Sequence, residues 1–240
     1  MRLLLVDIVE GVLEEGHPLP RESDLAEQFE VSRGVIRETL RGLEDRGLIV
    51  VQHGKPGAIV TPRRRWDILD TDVLTVLLQS DDSTGVLAEY IDARRIIEVE
   101  AAARAAARAT EDDLARLASV FAHFEASGRR AAMNRSAEEI FYTADIEFHQ
   151  AILDASGNRV LARLTEPIQR ALLTSRRPLA RPGYELDERI EQHRRIMRAI
   201  ANRDVEEARA AMSDHLDGVE RLLADRVDVE RGDLDTPDPR

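Results

Sequence analysis

The 240-residue sequence has no cysteine, which excludes disulfide frameworks, thiolate metal sites and thiol catalysis. Aromatic residues make up only 4% and there is a single Trp. Ala is abundant, as between Ala101 and Ala109, so helices should dominate and strands should be few. No run approaches the roughly 18 consecutive apolar residues of a membrane helix. The N-terminus also lacks a signal-peptide layout, since Arg2 is followed by four apolar residues and then Asp7 and Glu10. A cytoplasmic protein with no membrane partner is the expectation. Hydrophobic residues at 43% and charged residues at 33% place the chain among ordinary folded proteins, and its length suits one large domain or two small ones. The formal net charge of −12 argues at face value against a nucleic-acid partner. Its distribution changes that reading, because 10 basic and 11 acidic residues stand at or before residue 65, against 24 and 35 after it.

Four regions differ in texture. Residues 1–62 are short elements punctuated by Gly and Pro, 63–83 read as a linker with a short helix, 84–226 are helix after helix, and 227–240 read as a disordered acidic tail. In the first region Leu4, Val6, Val9, Val12 and Leu13 fall at helical spacing up to Gly16-His17-Pro18. A second helix is expected from an N-cap at Ser23 to Phe29, and a third from an N-cap at Ser32 to Arg46, stopped by Gly47. The β-branched runs 48–52 and 58–61 flank His53-Gly54-Lys55-Pro56-Gly57 and predict a two-stranded hairpin. Three helices and a hairpin make a winged helix-turn-helix. Beyond residue 84 the pattern predicts about six or seven helices, with Thr110 and Asp113 as a capping box, a helix end near Gly128, a stop at Gly157, and Asp204 capping the last helix. The fold class is therefore mainly α, a winged helix-turn-helix followed by an all-α bundle.

On the third helix Arg33, Arg37 and Arg41 are spaced four apart and share one stripe. The first two occupy the turns that enter a major groove in helix-turn-helix proteins. An Arg can fork onto the O6 and N7 of guanine, and Ser32 adds a hydroxyl and helix-start amides for a phosphate. The hairpin tip His53-Gly54-Lys55 is small and basic enough to press against a minor groove or backbone. The helix taken alone is equally a solvated face balanced by Glu38, Glu44 and Asp45; cap, stop and wing together favour DNA. Leu19-Pro20, Leu25-Ala26, Val31-Ser32-Arg33, Val35-Ile36-Arg37-Glu38, Leu43, Gly47-Leu48 and Gly57-Ala58-Ile59-Val60 resemble the DNA-binding domain of GntR-family bacterial regulators. The wing text 52–56 is similar to that of the fatty-acyl-responsive branch. The resemblance implies DNA contacts at Arg33, Arg37, His53 and Gly54. The sequence departs from the family where Ser23 stands in place of an Arg and where Gly34 replaces a hydroxyl residue.

Asp145 and His149 are four apart on one predicted helix, so both can reach one ion. His193 and His215 fall on the apolar stripes of two later helices. Three helices can thus converge on an Asp-His-His-His site for a divalent transition metal such as Zn, Ni or Mn. A single helical His is more often a packed or surface residue, and His123, flanked by Leu117, Val120, Phe121 and Phe124, is read as structural. The pattern Asp145-x-x-x-His149, Ala151-Ile152-Leu153, Ser156-Gly157-Asn158, His193, Ala199-Ile200, Ala208 and His215 resembles the FCD effector domain of the FadR subfamily. The resemblance implies metal binding by this Asp and these three His. Arg94 and Glu98 match the subfamily's Arg-x-x-x-Glu, and the resemblance implies an effector carboxylate at Arg94. The residues alone equally allow an i, i+4 ion pair with Glu98. Trp66 and the text Leu69-Asp70-Thr71-Asp72-Val73-Leu74 are similar to the linker of branches that answer to sugar acids such as galactonate or gluconate.

The expectation is a homodimeric regulator, repressor-like and not an enzyme, that binds double-stranded DNA at a palindromic operator and senses a small carboxylate at a metal site. A metal-responsive regulator and a metalloenzyme with an accessory DNA-binding domain are the alternatives. The latter is disfavoured because no general base stands at a motif spacing from the ligands.

Overall fold

The computed structural model describes residues 1–51, 57–80, 83–131, 138–174 and 186–234, and within them all side chains except those of 84, 138, 170–174 and 220–234. The expected wing tip His53-Gly54-Lys55 lies outside the described residues. The chain divides into two compact units, Met1–Ser83 and Thr84–Arg240.

The first unit holds α1 (Arg2–Val9), α2 (Glu22–Gln28), α3 (Arg33–Asp45), β1 (Ile49–Val51), β2 (Ala58–Val60), a 3₁₀ turn (Arg63–Arg65) and α4 (Thr71–Leu77). The strands are antiparallel with Ile49 opposite Val60, which is the wing. Ser32 caps α3 by accepting from the Val35 N–H at 3.3 Å, as its residue type predicts. Gly47 ends that helix with φ +72°, and an added Cβ would stand 2.2 Å from the Arg65 carbonyl oxygen. Only glycine fits a left-handed backbone pressed this closely against another chain segment. The stripe Ile36, Leu40 and Leu43 is buried together with Leu25, Leu48 and Ile49, leaving the arginine stripe outside.

Three details differ from the sequence reading. α1 stops at Val9, short of Leu13, because Gly11 takes φ +76° and breaks the helical path while Val12 remains exposed. Ser23 is not the cap of α2; Arg21 holds that position without a side-chain bond, and the Ser23 hydroxyl bonds Asp24 instead. The stretch expected as a linker is part of the first unit. Asp70 caps α4 through the N–H groups of Asp72 and Val73, and α4 packs on α1. Arg46 also ion-pairs to Asp70 at 3.0 Å and to Asp72 at 3.2 Å.

The second unit comprises α5 (Ser83–Arg108), α6 (Glu111–Ala131), α7 (Glu138–Ala155), α8 (Arg159–Thr174), α9 (Leu186–Ala201) and α10 (Val205–Leu234). Its core joins the small face of α5, Ala102, Ala105, Ala106 and Ala109, to Phe121, Phe124, Phe141 and Phe148 and to Ile196, Ile200, Met212 and Leu216. Side chains this small let helix axes approach closely. The Thr110–Asp113 capping box forms in both directions, and the Asp204 carboxylate accepts from the Glu207 N–H at 3.0 Å. Gly128 does not end α6. It lies inside the helix at a close approach, where a Cβ would meet Leu186 Cδ1 at 2.8 Å and Phe141 at 3.0 Å. α10 continues to Leu234, past the Val227 at which the tail was expected, since the first proline after that point is Pro237 and charged residues propagate a helix well enough.

Candidate functional site

The candidate nucleic-acid face of the first unit is α3. Arg33, Arg37 and Arg41 are all exposed, as the four-residue spacing requires. Arg37 Nε donates to Glu22 at 2.8 Å and Arg41 Nη1 to Glu38 at 2.8 Å. Exposed pairs of this kind are worth about 0–1 kcal/mol, so exchanging a carboxylate for a phosphate or a base edge costs little. The Ser32 oxygen is engaged as the cap acceptor, which leaves its O–H to donate.

In the second unit His149 from α7, His193 from α9 and His215 from α10 are 1%, 0% and 2% exposed. One nitrogen of each lies within 4.8 Å of those of the other two. The ring centroids of His193 and His215 are 4.5 Å apart, and those of His149 and His215 5.1 Å. On each ring Nδ1 faces an acceptor. His193 Nδ1 lies 2.7 Å from the Arg189 carbonyl oxygen, His215 Nδ1 3.1 Å from Gln192 Oε1, and His149 Nδ1 2.7 Å from Glu98 Oε2. For His193 and His215 the acceptor at Nδ1 favours the proton there and leaves Nε2 with its lone pair, the arrangement in which imidazoles ligate metals. Phe124 stacks on His193 at 4.2 Å and holds the ring in place.

Asp145, one turn before His149, reaches the same cluster. Its Oδ1 is 3.0 Å from His193 Nε2 and 3.0 Å from Arg189 Nη2. A lone pair facing a carboxylate oxygen at that distance is repulsive unless a cation sits between them. Burial pulls the His193 pKa down against the attraction of Asp145, so a second ring proton is disfavoured. Among the described residues, both ring nitrogens of His149 and Nε2 of His193 are buried with no aligned hydrogen-bond partner, and orphaned buried polar atoms require an explanation. Both observations fit a divalent cation held by one nitrogen of each histidine together with Asp145. Burial would raise the Asp145 carboxyl, but the Arg189 charge and then His193 hold it well below its usual range. Burial first, and then the neighbouring His193 and His149, push the His215 pKa well down. These groups are therefore ready to bind a cation at neutral pH without first losing protons.

Arg94 and Glu98, on α5, are 5% and 1% exposed. Arg94 Nε donates to Glu98 Oε1 at 2.7 Å and Nη2 to Oε2 at 3.2 Å. Burial tends to raise the Glu98 carboxyl, yet Arg94 and then His149 bring it down to about 2. Glu98 thus links Arg94 to the histidine cluster. That second role escaped the sequence reading because residues 98 and 149 are far apart along the chain. Arg189 was also missed, although it stands one turn before His193 on the same stripe of α9, where i, i+4 spacing could have found it. His123 is exposed on α6; Phe121 and Phe124 point inward and the intervening positions point out.

A family model described as bacterial regulatory proteins, gntR family, matches residues 1–59, and one for the FCD domain matches residues 89–218. The chain is a GntR-family regulator with an FCD domain. It is 34% identical over 85% of its length to the galactonate operon transcriptional repressor of Escherichia coli K12, covering 86% of that protein. It is 29% identical over 95% of its length to the Uxu operon regulator of Haemophilus influenzae, covering 82% of it. It is 30% identical over 91% of its length to the Glc operon transcriptional activator of Escherichia coli K12, covering 85% of it. Among solved structures, Streptococcus agalactiae GntR superposes with a TM-score of 0.52 at 24% identity, over 92% of this chain and 99% of that one. At that identity the likeness bears on the fold alone. This GntR-family regulator is a DNA-binding transcription factor with an effector domain, not an enzyme. No described helix is long and apolar enough to cross a membrane.

Proposed function

We propose that this regulator is a cytoplasmic homodimeric repressor whose hold on a palindromic operator is released by a small sugar acid chelated to a divalent metal in the FCD domain. The observation that carries the reading is the buried cluster of His149, His193 and His215 with Asp145 at its edge, its carboxylate 3.0 Å from His193 Nε2. Four protein ligands leave one or two positions of a five- or six-coordinate ion for ligand oxygens. When bound, the metal supplies Lewis-acid attraction for a carboxylate and its neighbouring hydroxyl. Arg94 stands behind Glu98 and adds positive charge for the carboxylate, with Nε and Nη2 already committed to that side chain. Galactonate, after which the operon of the similar Escherichia coli repressor is named, is the sugar acid we favour as effector. Zn, Ni and Mn all suit the donor set.

Ser32, Arg33 and Arg37 of α3, with His53, Gly54 and Lys55 of the wing, are the proposed DNA contacts. Two heads related by a two-fold axis match the symmetry of a palindrome. Ile96 on α5 at 69% exposure and Val160 and Leu164 on α8 at 65% and 41% are exposed apolar side chains available to self-association. The effector acts by binding more tightly to the arrangement of the dimer that does not fit the operator.

The test is operator binding by the metal-loaded protein, followed by fluorescence anisotropy with and without D-galactonate and related sugar acids. Release by one of them is the expected result. Equal operator affinity with and without every acid, at saturating metal, overturns the reading. A strong change of affinity on adding metal alone points instead to a metal-responsive regulator.

A further inference from the structure

Arg189 carries a charge that neither the DNA-binding face nor the histidine cluster requires. It sits on α9 one turn before His193 and is only 8% exposed. Its guanidinium carbon lies 5.1 Å from the centroid of the Phe141 ring, and Nη2 reaches Asp145 Oδ1 at 3.0 Å. Nη1 is buried and has no hydrogen-bond partner among the described residues. The Asp145 oxygen that Arg189 holds is the one facing His193 Nε2, so the oxygen placed to ligate an ion beside His193 is already paired with a guanidinium. A guanidinium next to a cation site also repels a divalent ion. A guanidinium nitrogen buried without a partner is costly unless something anionic arrives to meet it.

We propose that Arg189 is the resident counter-cation of this side-chain cluster: it neutralises Asp145 before metal is bound, opposes metal loading, and then offers Nη1 to the carboxylate of the metal-chelating ligand. The last step rests on the carboxylate-effector reading above; the first two do not. Arg94 is less suited to that task, because Glu98 already holds two of its nitrogens. Arg189 supplies a fork whose second prong is free, and Phe141 fixes the plane in which it points.

The proposal predicts opposite signs for two measurements on the full-length protein. Zn²⁺ affinity, measured by competition with a chromogenic chelator, should rise at least about tenfold in Arg189→Gln, because the like charge is gone and Asp145 is free to ligate. D-galactonate affinity of the zinc-loaded Arg189→Gln protein should fall about tenfold or more, the scale of a charge-assisted hydrogen bond. Arg189→Lys keeps the charge but not the fork, so its zinc affinity should stay within about twofold of wild type while galactonate binding still weakens. Zinc affinity that is unchanged or weaker in Arg189→Gln overturns the proposal, since a purely structural Arg would lose stability and metal together. Unchanged galactonate affinity overturns it as well. If zinc-loaded wild type fails to bind galactonate at all, the sugar-acid reading fails, and the two zinc measurements decide the role of Arg189.

Discussion

Glu98→Gln separates the two tasks assigned to this buried carboxylate. The side chain is 1% exposed and holds Arg94 through two hydrogen bonds while facing His149 Nδ1 at 2.7 Å. A pKa brought from 4.5 to about 2 corresponds to about 3 kcal/mol of stabilisation of the ionised form. Removing one partner of a buried ion pair costs about 3–5 kcal/mol, because the other charge stays behind in low dielectric. The two routes agree on a loss of about 3 kcal/mol for Glu98→Gln in the metal-free protein, measured by urea unfolding. Loss of the outer-shell partner of a ligating imidazole should also weaken zinc by about 10- to 100-fold. The double variant Arg94→Met/Glu98→Leu removes both charges and should recover stability to within about 1 kcal/mol of wild type, since apolar replacement of a buried pair is often neutral. It should not recover zinc affinity, because His149 Nδ1 still lacks its acceptor. Recovery of both together would show that Glu98 acts only as a counter-ion for Arg94 and would refute the outer-shell argument. A cost below about 1 kcal/mol for Glu98→Gln alone would refute the burial argument.

Four further outcomes are expected. Arg37→Ala should weaken operator binding by about 1–3 kcal/mol while leaving zinc affinity of the FCD domain unchanged; equal operator binding at matched salt removes Arg37 from the reading set. The metal-free protein should lose stability as pH falls below about 6.5, because His193 and His215 are held below that value by burial and the unfolded chain therefore takes up protons that the folded chain refuses; a melting temperature that stays flat between pH 7.5 and 5.5 contradicts this. Asp204→Ala should cost about 1 kcal/mol by deleting the cap on Glu207, visible in urea unfolding with no change in zinc binding. Gly47→Ala should destabilise the first unit by more than 1 kcal/mol, since it combines φ +72° with a clash on the Arg65 carbonyl; unchanged unfolding would mean that the turn can re-form elsewhere.

Most of the fold was legible because its signals are local. The Ser32, Thr110 and Asp204 caps act within three residues, so residue type and spacing suffice to place them. Errors arose where a local signal had more than one use. Glycine stops a helix at Gly47 but admits a neighbour at Gly128, and nothing in its own sequence context distinguishes the two. Ser23 has the chemistry of an N-cap, yet the helix starts one residue earlier and its hydroxyl turns to Asp24. His123 shares a helix with inward-facing phenylalanines, but its angular position, one residue from Phe124, turns it outward.

The candidate site divides along the same line. Sequence by itself determined that α3 carries an arginine stripe on its outer face, that Asp145 and His149 share one helical face, and that His193 and His215 lie on buried stripes, because the 3.6-residue period settles which side chains point together. Only the tertiary structure decided that three histidines from three helices meet, with nitrogens within 4.8 Å of one another. It also decided that Glu98 lies against His149 and that Arg189 and His193 face the same oxygen of Asp145. Helix crossings set those meetings, and crossings follow from how Ala-rich and Phe-rich faces pack across the whole unit. The period of any one helix fixes a direction for each side chain but not what stands opposite it.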